Sequence, residues 1–263
     1  MDFKTKGRRM ANQEHVALLD RGVDVWNEWR ERHPQLHPDL DGINLSGTDL
    51  HGVDFADAAL NGADLRGANL SRAILIRASL KEANLRDCDC RRANFYKTVL
   101  GKAYLAGANL SDSVLIEANL IEVNLEGSVL HKAVLRRAVL GKSILVRSSL
   151  LSADLHRVFA SRADFSRADL READFYKANL NRTVLFGANL REAVLSGANL
   201  READLREADL YKATLHKANL FRANLNGADL REAVFIEADL REAELQNTNL
   251  GDAVLIRASL SDY

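Results

Sequence analysis

From Leu45 to Leu260 the apolar positions fall on a strict five-residue beat. Every fifth residue is leucine or phenylalanine, except Cys90 and Ala160, through 44 consecutive places without one insertion. Two places earlier stands alanine in 31 of the 44 units, and otherwise a small or β-branched residue. A helix repeats its buried positions every 3.6 residues and a strand every two, so neither alone explains a period of five. A short strand followed by a tight turn does. The small residue and the leucine then point inward, the residue between them points out, and the remaining two turn the corner. One such unit cannot bury its own leucine, so the chain must wind as a solenoid.

Slower periodicities give the number of sides per coil. Central phenylalanines stand at Phe55, Phe95, Phe165, Phe175 and Phe235, and four of the five are separated by multiples of twenty. Glycine closes the units at Gly47, Gly67, Gly107, Gly127, Gly187 and Gly227, again at multiples of twenty. Both columns imply four units per coil. The repeats then make about 11 coils, a rod roughly 50 Å long at the spacing of neighbouring strands. Glycine at that corner suits a type II turn, whose third position needs positive φ.

The dense runs Ala63-Asp64-Leu65, Ala68-Asn69-Leu70, Ala203-Asp204-Leu205 and Ala208-Asp209-Leu210 match A(D/N)LxX. In this the chain resembles the pentapeptide-repeat family from about residue 40 to 260. The resemblance implies an all-β solenoid, a right-handed quadrilateral β-helix. Its N-terminal leader and unbroken repeats are similar to bacterial members, particularly cyanobacterial ones. Some members inhibit or protect DNA gyrase by presenting an acidic, duplex-like rod. Here the outward acids, including Asp64, Asp164, Asp204 and Asp229, are spread over several sides and balanced by Arg and Lys.

Residues 1–39 form a different region, with the β-helix occupying 40–263. From Ala11 to His33 the residues Val16, Leu19, Val23 and Trp26 recur at helical spacing, with Leu18, Val25 and Trp29 widening the stripe. One helix is expected, ended by Pro34 and Pro38 and folded over the first coil as a cap. The basic start, Lys4, Lys6, Arg8 and Arg9, is expected to be unstructured, and Met10 is a candidate second initiator. At the other end the repeats run to Leu260 with no such helix. End-to-end homodimerisation is expected there, through Leu250, Leu255, Leu260 and Tyr263.

Composition narrows function. The net charge is −1 with 28% charged residues, so no global field attracts nucleic acid or an acidic membrane. There is no run of 18 apolar residues and no signal-peptide core, which makes the cytoplasm the expected location. Cys88 and Cys90 occupy inward positions and read as core residues, with no disulfide or metal expected. Histidines are scattered, and Ser143 and Ser148 fill repeat positions with no His and acid converging on them. No enzyme, cofactor or metal site is expected.

One side is unlike the others. Its strand centres are β-branched at seven of eleven positions, against five of 33 on the remaining sides. They include Ile74, Val114, Val134, Val194, Val234 and Val254, and the adjacent corner carries Ile76, Tyr96, Ile116, Tyr176, Ile236 and Ile256. The next column is mainly basic, with Arg77, Lys97, Arg137, Arg157, Lys177, Lys217 and Arg257. An apolar strip beside a polar rim fits a face for a protein partner whose identity the chain does not state. The competing reading is that β-branched residues simply ladder and stabilise strands. A last local departure is Val158-Phe159-Ala160, where the bulky residue stands one place early. A bulge turning Phe159 inward is expected.

Overall fold

The computed structural model describes residues 11–260. Alternation within each unit places Ala63 and Leu65 fully in the core and leaves Asp64 between them half-buried on the outside. Each central residue pairs in parallel with the residue twenty places on, from Asp39 with Ala59 to Val234 with Val254. A step of twenty is four units, so neighbouring coils stack unit on unit. Only the last such pairing, of β1 (Asp239–Leu240) with β2 (Ser259–Leu260), extends to two residues a side.

The ladder explains the consensus. The Leu65 N–H donates to Asn84 O one coil ahead at 2.8 Å, and the Asn84 N–H donates to Ala63 O at 2.8 Å. The corner closes through the Ala68 N–H on Leu65 O at 3.0 Å, while the Gly67 N–H reaches Arg86 O at 2.9 Å. One donor per unit, on the first corner residue, is left over. The central Asp or Asn takes it with its own side chain: Asp64 Oδ1 accepts from the Arg66 N–H at 3.2 Å, Asn69 Oδ1 from Ser71 at 3.1 Å. This Asx turn is why the middle position favours Asp and Asn. Where it holds serine, as at Ser79, the column neighbour substitutes, and the Lys81 N–H donates to Asn61 Oδ1 at 3.1 Å.

The second corner residue has positive φ along the rod, as a type II turn requires, but glycine is the minority there. Arg72 sits at 58°, Lys97 at 56° and Glu207 at 57°. Glycine also occupies this position at Gly42, Gly52, Gly62 and Gly197, so it is not confined to one side. The pairing step, rather than the glycines, fixes four units per coil. Left-handed geometry costs an L-residue about 1–2 kcal/mol, here imposed by the ladder on both flanks.

Two local expectations are corrected. No bulge occurs at Phe159: it pairs regularly with Val139 and Asn179, its ring is 50% exposed, and Ala160 is buried in the leucine column. Phe165, in the next unit, and Phe175 face each other edge-on with centroids 6.1 Å apart, two rings bulkier than leucine in the same stretch of core. The N-terminal segment is two helices rather than one, α1 (Gln13–Leu19) and α2 (Val23–Arg32), broken at Gly22 with φ 106°. Asn12 caps α1 by accepting the Glu14 N–H at 2.8 Å.

These helices meet the open edge of the first coil. The Trp26 indole donates to Asp54 O at 2.7 Å, Asn27 accepts the Asp54 N–H at 2.8 Å, and buried Arg30 donates to Ala56 O at 2.8 Å. His15 Nδ1 accepts the Asp39 N–H at 3.0 Å. Two sides of the edge are thus engaged, while the Asn44 and Asp49 amides have no acceptor among the described residues. At the far end Leu250 and Leu260 are 38% and 48% exposed and Leu255 is half-buried. Tyr263 and the basic start with Met10 lie outside the described residues.

Candidate interaction face

Interior positions are accounted for by packing. The hydroxyls that replace alanine find backbone acceptors: Ser143 donates to Leu140 O at 2.5 Å and Ser148 to Leu145 O at 2.7 Å within their own corners, and Thr98 to Leu75 O of the preceding coil at 2.6 Å. Neither serine is a poised nucleophile. Cys88 Sγ donates to Leu65 O at 2.7 Å, and hydrogen bonding to Cys88, with burial, pushes the Cys90 thiol well up, which keeps it protonated. Function therefore belongs to the outer columns.

The apolar columns do share one side. Ile74, Asn94, Val114 and Val134 pair successively, as do Val194, Thr214, Val234 and Val254. Ile74 and Ile256 are exposed at 38% and 57%, and Ile76, Tyr96, Ile116, Tyr176 and Ile236 flank them half-buried. The stripe is not continuous, however. Asp154 and Asp174, paired with each other, divide it into an N-proximal patch ending at Val134 and a C-proximal patch starting at Val194.

This polar break is a cluster that column sorting missed. Arg136 Nε donates to Asp154 Oδ2 at 2.5 Å, His156 Nδ1 lies 3.7 Å from Asp174 Oδ2, and its ring packs on Tyr176 at 4.7 Å. The signal was an offset of 18 residues, which joins a corner residue to the central residue of the next coil. Asp154, His156 and Asp174 place one ligand atom each within 4.8 Å of one another. A cation there would compete with the Arg136 guanidinium already on Asp154. Alongside runs a shallow groove lined by Ile116, Glu117, Arg136, Arg137, His156 and Arg157.

On the other sides several acids are neutralised in place by an arginine. Arg66, Arg206 and Arg231 each grip Asp64, Asp204 and Asp229 with two nitrogens, and Asp164 accepts from Ser166. The Arg91 guanidinium likewise holds the Asp89 carboxyl below the usual carboxylate range. These forks follow from an Arg two places after an Asp, which the corner brings back over the carboxylate.

A family profile described as Pentapeptide repeats matches in eight copies, over stretches that run from residue 39 to 257. The chain belongs to the pentapeptide-repeat family. This pentapeptide-repeat protein is similar to HetL, a pentapeptide repeat protein involved in heterocyst differentiation regulation from the cyanobacterium Nostoc sp. strain PCC 7120. The identity is 32%, over 89% of this chain and 96% of HetL, with a TM-score of 0.52. Rfr23 of the cyanobacterium Cyanothece 51142 is 34% identical over 37% of this chain and 64% of its own, with a TM-score of 0.27. The plasmid-mediated fluoroquinolone resistance protein QnrB1 is 18% identical over 86% of this chain and 94% of its own, with a TM-score of 0.31. No curated protein sequence matches. Members of the family fold as right-handed quadrilateral β-helices. Among the described residues no helix is long and apolar enough to cross a membrane.

Proposed function

We propose that this pentapeptide-repeat protein is a non-enzymatic scaffold or regulator that binds a protein partner along the side carrying Ile76, Ile116 and Ile236. The rod of about 11 coils, residues 40–263, keeps that side straight. Helices α1 and α2 cover part of its N-terminal end through Trp26, Asn27 and Arg30, and the last coil, at Leu250, Leu255, Leu260 and Tyr263, joins a second copy. The cytoplasm is the proposed location.

The observation that carries the reading is the enrichment of β-branched strand centres on one side, seven of eleven against five of 33 elsewhere, with Ile74 and Ile256 exposed. Strand stabilisation alone would distribute them over all four. The 32% identity to HetL, itself involved in regulation, supports the same class of role. A DNA-mimic reading toward gyrase gains no support, because Asp64, Asp204 and Asp229 are each held by an arginine. A purely structural, self-associating rod would leave the stripe without a partner of another kind.

The test is affinity capture from cells of the source organism with mass spectrometry, using the full chain and its Ile76→Ser, Ile116→Ser, Ile236→Ser variant. Both should show the same circular dichroism and melting. A partner retained equally by the two would remove this side as the binding face.

A further inference from the structure

The basic column beside the apolar strip is internally neutralised except at one point. Arg77 pairs with Asp57 at 2.6 Å, and Lys97 and Arg137 share Glu117 at 3.5 and 3.8 Å. Lys217 and Arg257 share Glu237 at 3.4 and 4.0 Å. Arg157 and Lys177 have no carboxylate within ion-pair distance among the described residues, and the next position in the column is Gly197. They stand one above the other at the ~4.8 Å coil step, an arrangement of like charges that weakens a sheet. Arg157 also lines the groove with Ile116, Glu117, Arg136, Arg137 and His156, beside the gap between the two apolar patches.

From this juxtaposition we infer that Arg157 and Lys177 anchor the carboxylates of an acidic protein segment. Its aliphatic side chains lie on the patches to either side. The inference rests on the reading of this side as the partner face and names the chemistry of the partner. Spacing makes it more specific. Val134 and Val194 are three coils apart, about 14 Å, which an extended peptide spans in roughly four residues. The segment therefore carries two aliphatic residues about four apart with Asp or Glu between them. Nucleic acid is a poorer fit, because the two cations without a carboxylate partner span only two coils.

A random peptide library displayed on phage and panned against the full-length protein is the test. The expected result is enrichment of that pattern. Peptides made from the consensus should bind at least tenfold more weakly to the Arg157→Glu, Lys177→Glu variant, and more weakly as salt rises. Melting curves of that variant should match the parent. Enriched peptides without acids, binding indifferent to the charge reversal, no enrichment at all, or tighter binding of a 24-bp DNA duplex than of any peptide would each overturn the inference. Peptides lost on the Ile76→Ser, Ile116→Ser, Ile236→Ser variant but kept by the charge reversal would discard the acidic anchor and leave the face intact. Peptides indifferent to the serine variant would remove the face itself.

Discussion

The Trp26 indole N–H donates to the backbone oxygen of Asp54 at 2.7 Å, with its ring edge-on to Phe55 at 5.7 Å. One side chain thus covers the core of the first coil and satisfies its edge. Trp26→Ala should cost about 3–5 kcal/mol, and Trp26→Phe, which keeps most of the packing, about 1 kcal/mol. Because each coil contacts only its neighbours, the loss should be local. Amide exchange should accelerate near Phe55 and Leu60 and stay unchanged near Leu145 and Leu150. Uniform acceleration along the rod would argue against a local role.

Phe165 and Phe175 predict a coupling with Ala160. If their rings fill the space of the missing leucine, Ala160→Leu overpacks the core and costs about 1–3 kcal/mol. Combining it with Phe165→Leu should recover part of that, a coupling of at least about 0.5 kcal/mol in a double-mutant cycle. Additive effects in urea unfolding would show that the two sites do not share the volume.

At Arg72, φ is 58° and no carboxylate lies within ion-pair distance among the described residues. Glycine relieves the left-handed strain but is freer in the unfolded chain, so Arg72→Gly should stabilise by a net ~0.5–1 kcal/mol. A lower denaturation midpoint in Arg72→Gly would mean that the ladder imposes no strain at this corner.

The Asp–Arg forks set the acid limit. Hydrogen bonds from Arg91, Arg206 and Arg231 lower the carboxyl pKa of Asp89, Asp204 and Asp229. A carboxyl lowered on folding adds stability above its unfolded pKa and loses it as pH falls through its folded one. Melting temperature should therefore hold from pH 7 to about pH 5 and fall below about pH 4. Changing Asp89, Asp204 and Asp229 together to Asn keeps the Asx turns but removes the charges. That variant should melt lower at neutral pH and with a shallower acid decline; an unchanged decline would place the acid sensitivity elsewhere.

The solenoid was legible because a period of five has one simple physical solution, and a repeat shows it at every unit. What stayed hidden depended on contacts between coils or on backbone angles. Phe159 looked misplaced within its own unit, yet its backbone pairs regularly with Val139 and Asn179 in the coils on either side. Arg72 and Lys97 adopt angles that residue type alone assigns to glycine. The columns located the apolar side, but the division at Asp154 and Asp174 needed the offset of 18 that brings Arg136 and His156 onto them. Asn69 and Asp64 were read as outward and polar, while their part in closing the turn emerges only when every backbone donor is followed to its acceptor.

The Leu230 N–H donates to Asn249 O at 2.8 Å, whereas the equivalent Leu250 and Leu255 donors have no coil above them among the described residues. With Leu250 and Leu260 exposed, the last described coil combines an apolar surface with edge groups that have no partner among the described residues, which favours self-pairing. Sedimentation at micromolar concentration should give the mass of two chains. Leu250→Glu with Leu260→Glu should reduce it to one, at the cost of local rather than global melting, because Leu250 and Leu260 are 38% and 48% exposed. A one-chain mass for the parent protein would end the dimer proposal, and a two-chain mass that survives both substitutions would move the contact away from this end.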